Sequence, residues 1–358
     1  MSHVKDFRAA AAKAKAARAN DGNSIYGNYI SNNMRDGATI HECYNDVFEV
    51  ANLEDNGVTY NVLVKLGGLN IEGQAAQVYG VYDADAKTIT IPSQGCYNHP
   101  TYGNIDYIGL AESDKPDSYK ITDEVVYTQQ ENGSWVPNVL AWGMMLNDDK
   151  AGEMKGNPWN LGFNNVLYPV NATITGSTVK NKEWTDFESM AYVDDQNEVV
   201  NVYNFENGFA AIYVNEDGAT VSMPTGQPIV GLPQSAIDEG FGESMNITGV
   251  KVDGDNIRID YDAKFVPGTI SATDITFPDY LSICSKAVED NLYLRGWYHG
   301  ITINKLKGVF QGATAGVKGI SDNAAKANDN RIFNLAGQQV GENYKGIVIK
   351  NGQKFLKK

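Results

Sequence analysis

The sequence is short of the residues that mark several functional classes. Its 358 residues include 3 cysteines, Cys43, Cys96 and Cys284, so at least one thiol stays unpaired and a fully paired disulfide framework is excluded. Buried free thiols are the simplest expectation, with a Cys43–Cys96 bridge as the alternative. Basic residues are also scarce. With 29 Lys+Arg against 44 Asp+Glu, the net charge is −15 and the pI near 4.7, which does not suit a surface that gathers phosphates; no nucleic-acid partner is expected. The longest apolar run, Val139 to Leu146, falls far short of the roughly 20 residues that span a bilayer, so no membrane-spanning segment is expected.

The charge that is present is unevenly placed. Residues 1–20 carry +4 and residues 331–358 carry +5, which leaves −24 on the body between them. Residues 1–20 are rich in Ala with cations spread through, a composition that favours a helix. They do not read as a secretory signal, because Lys13, Lys15 and Arg18 interrupt any apolar core. Either a leader has been removed or the chain never had one.

Glycine is plentiful, at 36 residues, and many fall in Asn-Gly or Asp-Gly pairs that suit tight hairpins. Ala211–Val214 and Thr220–Met223 flank Asp217-Gly218 with alternating apolar residues, and Val250–Val252 and Ile257–Tyr261 flank Asp253-Gly254 likewise; each predicts a hairpin with one buried face. Helical periodicity is confined to the N-terminal segment and short stretches such as Ser282–Asn291. The expected class is all-β.

Parts of the body are written twice. Val47–Glu54 before Asn56-Gly57 resembles Val199–Glu206 before Asn207-Gly208, and Ile25-Tyr26-Gly27 upstream resembles Ile174-Thr175-Gly176. Downstream, Val81 to Gln94 resembles Tyr213 to Gln227: an apolar strand, an acidic turn, a β-branched strand, then a proline that ends the ladder. The first copy carries additional residues, including Thr59–Leu66, which reads as an extra strand. The expected organisation is an Ala-rich helical segment at 1–20, β copies at 21–170 and 171–310, a small polar linker at 311–330 and a hairpin-like tail at 331–358. Each copy is expected to be an antiparallel β-sandwich or a lipocalin-like β-barrel.

In the tail, Ile332, Asn334, Leu335, Gly337, Gln338 and Val340 precede Lys345, Gly346, Ile347, Ile349, Gly352 and Lys354. This pattern resembles the C-terminal sorting tails, of type IX secretion style, found on Bacteroidetes secreted and surface proteins, with departures at Val348, Gln353 and Phe355. The duplicated body is similar in style to β-rich surface proteins of that group. The resemblance implies a secreted or outer-membrane-surface location and says nothing about activity, since such tails are carried by peptidases, glycosidases and binding proteins alike.

Candidate chemistry is sparse. His41, Cys43, Cys96 and His99 have the atoms for Zn²⁺ but not the spacing of a standard motif. Cys96 with His99 or His299 is a candidate thiolate–imidazole pair, although turn residues rather than a helix follow Cys96. The Asp253-Gly254-Asp255-Asn256 turn offers oxygen ligands to Ca²⁺ without the twelve-residue EF-hand pattern, and no other cofactor is implied. Aromatic residues are the better lead: Trp142 and Trp159, with Asn157 and Asn160 beside the latter, combine flat rings and amides of the kind that hold sugars. The expected function is therefore a secreted or surface binding protein for a glycan or another extracellular partner, without catalytic residues. The alternative is a secreted hydrolase, a glycosidase or cysteine peptidase, whose catalytic residues lie far apart in sequence.

Overall fold

Tight turns return the chain on itself so regularly that almost every strand pairs with its sequence neighbour. The structure is a computed structural model that describes residues 5, 25–34, 40–71, 74–114, 118–196, 198–254, 256–285, 291–306, 308–311, 332–334, 339–341, 346–350 and 353–357. Asn56 and Gly57, Glu206 and Asn207, and Gly218 take positive φ, which lets two-residue and short loops close hairpins.

The first unit comprises β1 (Gly27–Met34), β2 (His41–Asp55), β3 (Val58–Ile71), β4 (Gln74–Asp83), β5 (Thr88–Pro92), β6 (Gln94–His99), β7 (Gly103–Glu112), β8 (Tyr119–Thr122), β9 (Glu124–Gln129), β10 (Trp135–Pro137), β11 (Ala141–Leu146) and β12 (Pro158–Pro169). Eight of them, β1-β2-β3-β4-β5-β9-β10-β12, form a barrel that closes where β12 pairs with β1. The second unit comprises β13 (Ala172–Lys180), β14 (Glu183–Asp195), β15 (Val199–Phe205), β16 (Gly208–Val214), β17 (Thr220–Pro224), β18 (Pro228–Gly231), β19 (Ser244–Asp253), β20 (Asn256–Asp260), β21 (Phe265–Ile270), β22 (Asp274–Cys284) and β23 (Leu294–Lys305). Here β13-β14-β15-β16-β17-β21-β22-β23 close a second eight-stranded antiparallel barrel through β22 and β23. The choice between sandwich and barrel thus falls to the barrel, which removes sheet edges by closure.

The units correspond strand for strand. Each inserts three strands after its fifth barrel strand, β6–β8 in one and β18–β20 in the other, and the pair β10 and β11 matches the single long β22. A bulge with positive φ falls at Asn164 in β12 and at Gly300 in β23, which fixes the residue register between them. The downstream repeat is therefore structural. Pro92 and Pro224 stand opposite Tyr79 and Ala211 but have no N–H to give. Gln94 replaces the missing pairing: its amide donates to Tyr79 O (2.8 Å) and accepts from Tyr79 N (2.7 Å). Gln227 does the same with Ala211 O (3.1 Å) and Ala211 N (2.8 Å).

The upstream repeat is corrected by one strand. Val47–Glu54 lies in β2, whose counterpart is β14, whereas Val199–Glu206 belongs to the β15 hairpin, whose counterpart is β3. Glu49 and Asn201 thus occupy different barrel positions, and Thr59–Leu66 is the ordinary third strand rather than an extra one. Ile25 precedes β1, while Ile174 lies inside β13 opposite Ile303, the place of Ser31 in the first barrel. Ser282–Cys284 ends strand β22 instead of starting a helix. Of residues 1–20 only Lys5 is described, in a parallel bridge to Gln94; the rest of that expected helix, and residues 312–330 of the linker, lie outside the described residues. The tail forms β24 (Ile332–Asn334), β25 (Gln339–Val340), β26 (Gly346–Lys350) and β27 (Gln353–Lys357), ordered β25-β24-β26-β27. No helix among the described residues is long and apolar enough to cross a membrane.

The barrels touch through their outer faces. Cys43 N donates to Asn207 O (2.8 Å), Asn204 Nδ2 donates to Asn45 Oδ1 (3.2 Å), and Tyr168 stacks on Tyr192 at 4.5 Å between centroids. His41 stacks on Phe209 at 4.6 Å, and burial lowers its pKa to about 4.

Candidate functional site

In the first barrel, two regions hold the polar and aromatic side chains that a ligand would use: its centre and its outer surface near the β6–β7 turn.

The centre is polar only in the first copy. Because residues two apart share a strand face, the alternation that sends Phe48 inward also sends Asp46 inward. Asp46 is 3% exposed, and its Oδ1 accepts from Gly67 N at 2.8 Å. A side chain at Gly67 would collide with Asn45 O, so glycine permits this approach. Around it, Asn165 Nδ2 donates to Ser31 Oγ (2.9 Å) and Asn33 Oδ1 (2.8 Å), and Tyr127 OH donates to Asn165 Oδ1 (2.8 Å). Burial lifts the Asp46 carboxyl to about 7, against the smaller opposing effect of its hydrogen bonds to Gly67 and Ser31. In the second barrel the corresponding positions of Ser31, Asp46, Tyr107, Tyr127 and Asn165 are Ile174, Ala191, Ile247, Gly268 and Ile301. The cavity beside Asp46 has room for about one water and not for an organic ligand. Trp135, Phe48 and Leu167 fill the rest of this barrel, and Ile212, Phe277 and Ile303 fill the other.

Trp142 belongs to this interior. It is 4% exposed, stacks on Tyr107 at 5.9 Å and donates from Nε1 to Asn33 Oδ1 (2.9 Å). Gly162 makes that bond possible, since a Cβ there would fall on Asn33 Oδ1. The structure therefore does not bring Trp142 together with Trp159.

Trp159 stands at the start of β12, 37% exposed, and the β6–β7 turn brings His99 and Tyr102 to it. Ring centroids are 5.2 Å apart for Trp159 and His99, 5.6 Å for Trp159 and Tyr102, and 4.9 Å for His99 and Tyr102. The turn itself is held by His99 Nδ1, which accepts from Thr101 N (3.1 Å) and Tyr102 N (3.2 Å), leaving Nε2 as the ring's remaining polar atom. Asn157 is exposed and Asn160 half-buried on either side of Trp159. The arrangement can stack a flat apolar face on its rings and offer polar tips at their edges. His99 and Tyr102 were missed as partners of Trp159 because more than fifty residues of chain intervene.

The three cysteines are buried and none is joined in a disulfide, which removes the Cys43–Cys96 bridge. Burial pushes the Cys43 thiol up to about 12, and Cys96 Sγ donates to Ile105 O at 3.3 Å within the core. Neither is placed as an exposed nucleophile. Among the described residues no three His, Cys, Asp or Glu side chains converge as metal ligands; Asp253 and Asn256 pair across the β19–β20 hairpin, and Asp255 lies outside the described residues. No protein-family model matches the chain, and neither does any curated protein or solved structure compared with it.

Proposed function

We propose that this is a secreted or surface-exposed binding protein that holds a neutral glycan on the outside of its first barrel, against Trp159, Tyr102 and His99, with Asn157 and Asn160 at the rim. The observation that carries this reading is the exposed ring cluster on a barrel whose interior is filled by its own side chains. Sugars present apolar C–H faces and hydroxyl edges, which rings and amides satisfy together. The negative charge of the body disfavours anionic polysaccharides and leaves neutral ones. The surface location is supported by the resemblance of residues 331–358 to export tails.

The test is affinity electrophoresis and calorimetry with cello-, manno-, xylo- and chito-oligosaccharides. One of these is expected to bind, and Trp159→Ala is expected to weaken it at least tenfold, since a partly buried Trp anchor contributes about 2 kcal/mol or more. Unchanged affinity in Trp159→Ala would remove the site, and no binding across the panel would remove the class.

A further inference from the structure

The second barrel carries another ring cluster, at a place unrelated by the duplication to the first. Pairing brings Tyr280, His299, Ser177 and Asp186 into one row across β22, β23, β13 and β14. Trp184, two residues before Asp186 and 42% exposed, reaches back over this row. Its ring centroid lies 5.5 Å from Tyr280 and 6.1 Å from His299, and Tyr280 and His299 are 4.4 Å apart. Ser177 Oγ donates to Asp186 Oδ1 at 2.7 Å, which fixes the exposed carboxylate beside the rings. Among the described residues the Trp184 indole nitrogen, the Tyr280 hydroxyl and the His299 ring nitrogens make no hydrogen bond.

The first barrel provides an internal comparison. The register fixed by Asn164 and Gly300 places Phe163 at the position of His299 and Ala141 at that of Tyr280. Phe163 and Ala141 are buried, with Tyr119 of β8 against Phe163 at 5.9 Å. In the second copy the same outer positions carry a half-exposed His and Tyr and are joined by Trp184. Conversely, the position of Trp159 is held in the second copy by Arg295, which pairs with Glu206 at 3.6 Å. Each copy therefore exposes a Trp–Tyr–His cluster where its sister has ordinary packing or an ion pair. This outer face also continues along β14 from Met190 and Tyr192, which are covered at the junction with the first barrel.

We infer that the Trp184–Tyr280–His299 face is a second binding site for a neutral glycan, so that one chain engages a polysaccharide at two points. The inference rests on the glycan reading of Trp159. The occupant follows from chemistry: the rings stack a sugar face, the unpaired indole, imidazole and phenol atoms meet hydroxyls, and Asp186 accepts from a hydroxyl while repelling an anionic chain. Two sites on one chain raise the affinity for a long polysaccharide above that for a short oligosaccharide without new contacts.

The experiment compares the intact chain with Trp159→Ala, Trp184→Ala, Asp186→Asn and the double Trp variant, titrating the same oligosaccharide panel and measuring retention on the matching immobilised polysaccharide. Two sites per chain are expected, with either Trp variant keeping one. Polysaccharide retention should fall at least tenfold in each single variant and vanish in the double, and Asp186→Asn, which keeps the fold and the rings, should weaken the second site alone. If Trp184→Ala and Asp186→Asn leave stoichiometry and retention unchanged while Trp159→Ala abolishes binding, the second site is refuted and the first stands. If Trp184→Ala abolishes binding and Trp159→Ala does not, the Trp159 site and engagement at two points are both refuted, and binding is assigned to the Trp184 face alone.

Discussion

Replacing Asp46 with Asn tests the reading of the first barrel's centre. Folding moves this carboxyl from an ordinary value of 3.8 to about 7, because burial disfavours its charged form. A raised acid is protonated in the folded state, so its contribution to stability is complete below about pH 3.8 and is lost as pH rises to about 7. At about 1.4 kcal/mol per pKa unit the loss is about 4 kcal/mol. The groups that meet it, Ser31, Tyr107, Tyr127 and the Gly67 amide, carry no positive charge to offset ionisation. Urea unfolding of both proteins, followed by tryptophan fluorescence at intervals from pH 4 to 8, isolates this residue in the difference, because all other titrations are common to both. The stability of Asp46→Asn relative to the unmodified chain should rise by about 4 kcal/mol across that range. A difference that does not vary with pH would show that Asp46 is charged in the fold, and the account of the barrel centre would be wrong.

Two further predictions concern stability. His41 titrates in the opposite sense: held at about 4 by burial against an ordinary 6.5, it contributes stability that is present above pH 6.5 and lost, by about 3 kcal/mol, on acidification to pH 4. Relative to His41→Gln, the unmodified chain should weaken over that interval in urea titrations, and no change would mean that His41 is exposed. Gln94→Leu removes the hydrogen bonds that Gln94 makes to the buried Tyr79 N–H and C=O and should cost about 3 kcal/mol by denaturant unfolding. Gln227→Leu, whose site is half-exposed to water, should cost less, and equal costs would contradict the pairing argument.

What the sequence made legible was local. Hairpins at Asp217-Gly218 and Asp253-Gly254 and the repeated proline–glutamine corner follow from turn chemistry and the missing proline N–H, which need only a few adjacent residues. The upstream repeat failed because an apolar strand ending in Asn-Gly looks the same at any position of a meander, and nothing local tells β2 from β15. Asp46 was recoverable, since it stands two residues before Phe48 on an alternating strand. His99 and Tyr102 with Trp159, or Trp184 with Tyr280 and His299, were not, because only barrel closure and strand register bring those distant segments together.

The most direct test of the outer-surface account reads the indole N–H signals of the five tryptophans by NMR while the binding oligosaccharide of the panel is added. The account predicts that the signals of Trp159 and Trp184 move with concentration while those of the interior Trp135 and Trp142 stay fixed. Movement of Trp135 or Trp142 with Trp159 unchanged would place the ligand inside the barrel and contradict it.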